Sequence, residues 1–145
     1  MNKKMLKEYK TLIVIPMKDP SRSKTRLEKT LSSEERNKLS LKLFNRTLWF
    51  LIKNIKEFNN NCKIAVVTES EIISKIALGE NVIRINSKGM KSLSDSVDLA
   101  SKYALVNNFA RICIIPADLM ELNFNDFKKL LNYPIKNNSL VICPS

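Results

Sequence analysis

Histidine is absent from this sequence of 145 residues, and glycine and cysteine are scarce. Without histidine, a Ser-His or Cys-His catalytic pair and a histidine-bearing zinc site are excluded. Only two glycines occur, Gly79 and Gly89, so a glycine-rich dinucleotide-binding turn and a P-loop are excluded as well. Cys62, Cys113 and Cys143 have no Cys-x-x-Cys spacing, which predicts reduced residues in a cytoplasmic protein.

Long apolar runs are also missing. The apolar run Leu12–Ile15 is too short for the core of a signal peptide and stops at Pro16 and Lys18. No run approaches the roughly eighteen apolar residues that a membrane-spanning helix needs. The sequence therefore predicts a protein with no segment in a membrane.

Positive charge is in excess and is unevenly distributed. The formal net charge is +11, and residues 1–60 carry fifteen Lys and Arg against six Asp and Glu. Such asymmetry is typical of a protein that binds nucleic acid, a membrane surface or a small polyphosphate. Compositional drift toward Lys, Asn and Ile is the alternative for the total charge, although it does not explain a local cluster.

Apolar runs alternate with helical periodicity along the chain, which predicts one α/β domain over residues 1–145. We expect a mostly parallel sheet with right-handed crossovers and helices on both faces. The predicted strands are Thr11–Pro16, Lys63–Thr68, Val82–Ile85, Arg111–Pro116 and Leu140–Cys143. The predicted helices are Ser32–Glu57, Glu71–Leu78, a third that includes Leu93 to Ala104, and Phe124–Leu131.

The longest predicted helix has a clear start and a proposed buried face. Ser32 and Glu35 have the spacing of a capping box. Its buried face is predicted to comprise Leu39, Leu43, Thr47, Leu51 and Ile55. Trp49, with Phe44 and Phe50, is predicted to pack in the core rather than to stack on a base.

A cationic loop follows the first strand. It contains Lys18, Arg22, Lys24 and Arg26, and it leads from a buried strand into a helix. Because α/β proteins bind phosphates at the carboxyl edge of the sheet, we expect an anionic substrate there. A solvated basic loop is the alternative interpretation. Asp118, which follows the strand at Arg111–Pro116, is a carboxylate that could hold a metal ion at the same edge.

Further polar segments should meet at this edge. The segments predicted to converge are Met17–Arg26, Thr68–Ser70, Asn86–Ser94 and Pro116–Met120. Thr68 either contacts a base or ribose or belongs to the cap of the next helix, and the sequence leaves both roles open. Asp95 and Asp98 lie in a first helical turn, where a structural role is expected.

Three motifs carry a resemblance to a known family. They are the strand Leu12–Pro16 with the cationic loop and Ser32–Arg36, the helix start Leu93–Val97, and Pro116–Leu119. Together they resemble the 2-phospho-L-lactate guanylyltransferases, nucleotidyltransferases that make the deazaflavin coenzyme and of which some use phosphoenolpyruvate. The resemblance implies a Rossmann-like, glycosyltransferase-A-like fold that transfers GMP from GTP to a small phosphorylated acid and releases pyrophosphate.

The resemblance also implies residue roles. Lys18, Lys24 and Arg26 would neutralise the triphosphate, and Asp118 would bind Mg²⁺ as the cofactor. Ser94 would contact the nucleotide, although the family usually has asparagine at this position. The remaining candidate nucleotide contacts are Arg22 and Thr68.

Some expectations stay open at this point. Another nucleotidyltransferase of the same fold, such as a molybdopterin guanylyltransferase or a sugar-acid cytidylyltransferase, is an alternative. A basic nucleic-acid-binding domain is disfavoured, because the cations do not alternate with exposed aromatic residues. A homodimer is among the expected assemblies, but the sequence does not fix it. Members of the family continue into a Gly-Gly-Thr-Asn-rich segment and a second metal-binding aspartate. We therefore expect this chain to be a C-terminally incomplete fragment of a longer reading frame, and a natural truncation that has lost part of the acceptor site is the alternative.

Overall fold

A parallel four-stranded sheet forms the centre of the protein. The computed structural model describes residues 11–58, 61–119, 121–136 and Leu140. The strands are β1 (Thr11–Pro16), β2 (Cys62–Thr68), β3 (Ile83–Asn86) and β4 (Arg111–Ile114), and their order in the sheet is β3-β2-β1-β4. The helices are α1 (Ser33–Ile55), α2 (Glu71–Gly79), α3 (Leu93–Val106) and α4 (Phe124–Asn132). This arrangement confirms the predicted α/β fold class.

The carboxyl ends of three strands reach the same edge of the sheet. In the parallel register, Pro16 of β1 lies beside Val67 of β2, and Val14 lies beside Ile114 of β4. The strand β1 is central, and Leu12–Ile15 are fully buried. Continuous apolar sequence is what a parallel strand covered on both faces requires.

Helices cover both faces of the sheet, as predicted. On one face, Ile13 and Ile15 pack with apolar residues of α1, α2 and α4, among them Phe44, Ile73 and Phe127. On the other face, a smaller cluster that includes Leu12, Val14, Ala65 and Val67 packs against α3. The α3 helix contributes Ala100 and Ala104 to it. Small side chains allow the helix to approach the sheet closely.

The predicted capping box of α1 is confirmed, whereas the predicted buried face is partly wrong. Ser32 Oγ accepts from Glu35 N, and the Glu35 carboxylate accepts from Ser32 N. The buried residues are Ser40, Phe44, Thr47, Leu48 and Leu51. The predicted series advanced four residues at each step. Because an α-helix has about 3.6 residues per turn, a strict four-residue series rotates around the helix and leaves the core-facing side at its ends.

Trp49 is not a core residue, which corrects the sequence prediction. Its relative exposure is 57%, whereas Phe44 is fully buried. Trp49 follows Leu48 by one position, so its side chain leaves the helix about 100° away from that buried neighbour. Phe50 is only partly buried, but it does pack against the larger core.

The end of β4 differs from the prediction by two residues. The strand ends at Ile114, although Ile115 N still donates to Val14 O at 2.9 Å. Pro116 has no N–H and cannot continue the ladder. Of the predicted last strand, everything after Leu140 lies outside the described residues. Among the described helices, none is long and apolar enough to cross a membrane.

Candidate active site

The cationic loop after β1 is built from two short 3₁₀ turns, Pro20–Arg22 and Thr25–Leu27. Asp19 caps the first turn, where its carboxylate accepts from Ser21 N at 2.9 Å and from the Ser21 hydroxyl. The Ser21 hydroxyl lowers the pKa of Asp19 below its usual value, because the hydrogen bond favours the ionised carboxylate. The loop therefore has a defined conformation held by its own acidic residue.

Lys24 links the two turns and has a left-handed backbone. Its φ is 58° and its ψ is 33°, a backbone conformation that residues other than glycine adopt at a cost in free energy. The Lys24 ammonium donates to Asp118 Oδ2, and the two residues are 94 positions apart in the chain. This ion pair brings together the two residues that the sequence predicted for phosphate and metal binding. The Lys24 side chain is 23% exposed and that of Asp118 is 50% exposed.

Helix α1 supports the segment that carries Asp118. Thr47 Oγ1 donates to Ala117 O at 3.1 Å, and the Arg46 guanidinium donates to Leu119 O. The backbone carbonyls on both sides of Asp118 are thus fixed by one helix. These supporting roles were not predicted from the sequence. A threonine within the predicted apolar face was the available signal, because a buried hydroxyl needs a partner.

A cavity of about 260 Å³ opens between the ends of β1 and β4. Lys24 and Asp118 lie in its wall, and most of the remaining surface is apolar. The lining residues are Pro16, Met17, Ser23, Lys24, Ser40, Leu93, Ile114, Pro116, Ala117 and Asp118. The cavity lies at the carboxyl edge of the sheet, where the sequence predicted an anionic substrate.

The other predicted cations are not in the cavity wall. Lys18 and Arg26 are exposed on the loop. Arg22 pairs with Glu69 at 3.1 Å, and its side chain is 73% exposed. That pair ties the loop to the residue after β2. Their roles as phosphate contacts stay predictions.

The two uncharged candidates differ in burial. Thr68 is 2% exposed, and its hydroxyl accepts from Ser70 N at 3.0 Å. Ser70 in turn accepts from Ile73 N at the start of α2, so the helix-cap role of this segment is present. Ser94 is exposed in the first turn of α3, next to Leu93 of the cavity wall. Nucleotide contacts at Thr68 and Ser94 stay predictions.

Comparison with known proteins identifies the family. Residues 11–145 match the family described as guanylyl transferase CofC-like. The chain belongs to this family. The predicted resemblance to guanylyltransferases is thereby confirmed.

Two curated relatives of this family member carry different substrate names. The chain is 39% identical over 138 residues to a 3-phospho-D-glycerate guanylyltransferase from Colwellia psychrerythraea, covering 94% of the chain and 62% of the relative. It is 30% identical over 135 residues to a 2-phospho-L-lactate guanylyltransferase from Methanocaldococcus vulcanius, covering 92% of the chain and 56% of the relative. The chain therefore spans about three fifths of the length of these proteins.

A solved structure supports the fold. A crystal structure of a Desulfovibrio desulfuricans G20 protein, named as a nucleotide-diphospho-sugar transferase, superposes with a TM-score of 0.62. The sequences are 15% identical, and the match covers 84% of this chain and 53% of the other. At this identity the likeness shows a shared Rossmann-like α/β fold.

Among its described residues, this CofC-like chain has donors for a metal site that the substrate completes. In the part of the chain that the structure describes, no three metal-ligating side chains come together. Asp118 is a single, half-exposed carboxylate on the cavity. Mg²⁺ commonly binds to one or two carboxylates and completes its coordination with phosphate oxygens and water. Asp118 fits such a substrate-completed site and does not fit a preformed protein cage.

Proposed function

We propose that the chain carries the nucleotide- and metal-binding part of a guanylyltransferase, which transfers GMP from GTP to a small phosphorylated acid. The observation that carries the proposal is the pairing of Lys24 with Asp118 in one cavity at the carboxyl edge of the sheet. A cation for the triphosphate and a carboxylate for a metal ion are the two groups that nucleotidyl transfer requires at one place. Membership of the guanylyl transferase family supports this choice.

The proposed reaction is a displacement at phosphorus. An ionised oxygen of the acceptor phosphate attacks the α-phosphorus of GTP, and the bond from that phosphorus to the bridging oxygen of the β-phosphate breaks. Pyrophosphate leaves with the bonding electron pair. Since the attacking phosphate is already ionised, no general base is needed, and the absence of histidine is no obstacle. Positioning and charge neutralisation then provide most of the catalysis.

Lys24 would interact with the triphosphate. In the structure its ammonium forms an ion pair with the Asp118 carboxylate. When the nucleotide enters the cavity, the ammonium can pair with a phosphate oxygen instead. We propose Lys18 and Arg26 as flanking phosphate contacts, because both are exposed on the same loop. Arg22, Thr68 and Ser94 complete the proposed nucleotide contacts.

Asp118 would hold Mg²⁺ together with phosphate oxygens. When bound, the ion would supply positive charge to the phosphate oxygens. Departure of Lys24 from Asp118 frees the carboxylate for this role. Thr47, through Ala117 O, keeps the segment next to Asp118 in place.

The acceptor is the finer part of the proposal. We place 3-phospho-D-glycerate first, because the relative with 39% identity is named for it. 2-Phospho-L-lactate, for which the other relative is named, and phosphoenolpyruvate are the remaining candidates. A preference for either of these would point to synthesis of the deazaflavin coenzyme. A cytoplasmic location and a homodimer stay predictions.

Pyrophosphate release by the full-length protein tests the proposal. The assay combines each of GTP, ATP, CTP and UTP with each of the three acceptors, with Mg²⁺ and with EDTA. We expect release that requires GTP, a metal ion and one acceptor, together with a nucleotidyl ester detected by mass spectrometry. An ester formed from CTP or ATP but not from GTP would overturn guanylyl transfer and would leave the fold assignment standing. No product with any combination would overturn the enzyme assignment.

A further inference from the structure

Among the described residues, Ser40 has an unusual buried hydroxyl group. It is 3% exposed in the middle of α1, and within the described residues its Oγ has no hydrogen-bond partner. The buried threonine on the same helix behaves differently, since Thr47 Oγ1 donates to Ala117 O at 3.1 Å. Buried polar groups are nearly always hydrogen-bonded, so an unpaired one needs an explanation.

The position of Ser40 suggests where its partner comes from. Ser40 belongs to the wall of the cavity that contains Lys24 and Asp118. Its oxygen is shielded from bulk solvent, and the cavity is the space that Ser40 borders, so we take the cavity as the route for a partner. The volume of about 260 Å³ accommodates several non-hydrogen atoms, and a water molecule occupies about 30 Å³. The space next to Ser40 is therefore large enough for part of a substrate.

The chemistry of the cavity indicates what kind of partner it is. The cavity wall that includes Ser40 is mainly apolar, with Met17 and Ile114 among its residues, while Lys24 provides a positive charge. A serine hydroxyl can donate one hydrogen bond, and a charged acceptor makes the stronger bond. An anionic oxygen can accept a hydrogen bond from the Ser40 hydroxyl and also pair with the Lys24 ammonium.

We propose that Ser40 is a substrate-binding residue whose hydroxyl, after a rotation of its side chain, donates to an anionic phosphate or carboxylate oxygen of the ligand held beside Lys24. The inference rests on the proposed function and adds a contact that the sequence motifs do not contain. The oxygen belongs either to the triphosphate or to the acceptor acid. Both sources have the same chemistry, and binding measurements separate them.

An unpaired buried hydroxyl gives the proposal a distinctive consequence for stability. In the unliganded protein, Ser40→Ala removes a polar group that has no partner, so stability should stay equal or rise. In the liganded protein, the same change removes a hydrogen bond to a charged oxygen. A purely structural serine would show the opposite pattern, with lower stability and unchanged ligand affinity.

The experiment compares Ser40→Ala with Ser101→Ala in the full-length protein. Ser101 is an exposed serine on α3 whose hydroxyl has a hydrogen bond, so it controls for the loss of a serine hydroxyl from a helix at a position outside the cavity wall. Unliganded melting temperature and dissociation constants are measured for GTP with Mg²⁺, inorganic triphosphate, 3-phospho-D-glycerate, 2-phospho-L-lactate and phosphoenolpyruvate. The range of probes separates triphosphate binding from acceptor binding.

For Ser40→Ala we expect an unchanged or higher melting temperature and roughly 10- to 100-fold weaker binding of one ligand class. Weaker binding of GTP and triphosphate assigns the contact to the nucleotide, and weaker binding of an acid assigns it to the acceptor. Ser40→Cys, which has a weaker donor, should lie between wild type and Ser40→Ala. Ser101→Ala should leave every dissociation constant unchanged.

Either of two results would overturn the role of Ser40. One is a Ser40→Ala protein that melts clearly lower or does not fold, and the other is unchanged affinity for every probe. Wild-type protein that binds these anions without transferring GMP would overturn only the proposed function. Wild-type protein that binds none of them would overturn both.

Discussion

At the scale of single residues, the ion pair between Lys24 and Asp118 links phosphate binding to metal binding. Both residues were predicted from the sequence, but their contact was not. Asp118 is the one carboxylate among the described residues of the cavity wall, and the Lys24 ammonium competes with any cation for it. A triphosphate that attracts Lys24 would remove this competition. Nucleotide and metal should therefore bind cooperatively.

Replacement of Lys24 by methionine tests this coupling. A partly exposed ion pair contributes about 0.5–1 kcal/mol, so Lys24→Met should bind Mn²⁺ roughly 2- to 5-fold more tightly when no nucleotide is present. GTP should bind roughly 10- to 100-fold more weakly, because a charge-assisted contact is lost. Electron paramagnetic resonance of free Mn²⁺ measures the first effect, and calorimetry measures the second.

Two variants complete the Lys24 test. Lys53→Met, on α1, removes an exposed lysine away from the cavity and should change neither affinity. Asp118→Asn keeps the shape of the side chain but removes its charge, so Mn²⁺ binding and transfer should both be lost. If Lys24→Met bound Mn²⁺ no better than wild type, the competition between ammonium and metal would be refuted.

At the scale of elements, the loop between β1 and α1 combines rigidity with a strained residue. Asp19 fixes the first turn, and the left-handed conformation of Lys24 follows it. Non-glycine residues in this conformation cost of order 1 kcal/mol and are concentrated at functional sites. The loop therefore accepts an unfavourable backbone conformation at the residue whose ammonium reaches Asp118.

The acid sensitivity of this loop is predictable. The folded-state pKa of Asp19 is lower than its unfolded value of about 3.9. The ionised carboxylate therefore contributes to folding stability above that pH, and this stabilisation is lost as the pH falls through the folded-state pKa. Asp19→Asn should unfold at lower urea concentration than wild type at pH 7. The difference between them should shrink at pH 3.

Ser21→Ala provides the matched comparison for Asp19. It removes the hydroxyl donor and keeps the hydrogen bond from the backbone N–H at this position to the Asp19 carboxylate. It should therefore show part of the loss of stability that Asp19→Asn shows at pH 7. Urea unfolding at both pH values measures all three proteins. A stability difference between Asp19→Asn and wild type that is the same at pH 7 and pH 3 would show that the carboxylate charge has no part in folding.

At the scale of the whole molecule, the larger core joins the sheet to α1, α2 and α4, and aromatic contacts link α4 to α1. Phe127 of α4 is 6% exposed and lies edge-to-face with Phe50 at 5.7 Å and with Phe58 at 5.8 Å between ring centres. These contacts attach α4 to α1, and α1 supports the Asp118 segment. The core and the candidate active site thus share one helix.

Truncation of Phe127 tests the importance of that contact. Phe127→Ala should lower the free energy of unfolding by about 3–5 kcal/mol, because it removes a large buried ring and leaves a cavity. Trp49→Ala should change it by at most about 0.5 kcal/mol, since Trp49 is an exposed residue. Urea unfolding with a fitted slope measures both. A large loss of unfolding free energy for Trp49→Ala and a small one for Phe127→Ala would contradict the position of Trp49 at the surface and of Phe127 in the core.

The sequence by itself determined the alternation of elements, the parallel sheet and the two segments that carry Lys24 and Asp118. These features depend on local signals, namely the apolar run of β1, the capping residues Ser32 and Glu35, and a carboxylate soon after a strand. The same signals carried the family resemblance. Local patterns suffice to predict these features, because each feature depends on residues that are neighbours in the chain.

Only the tertiary structure decided which side chains meet. It placed Trp49 at the surface, because burial depends on which side of α1 faces the sheet and not on hydrophobicity alone. It joined Lys24 to Asp118 and placed Ser40 beside the same cavity. These contacts link positions far apart in the chain and are set by the register of β1 with β4 and by the packing of α1, which no short sequence pattern encodes.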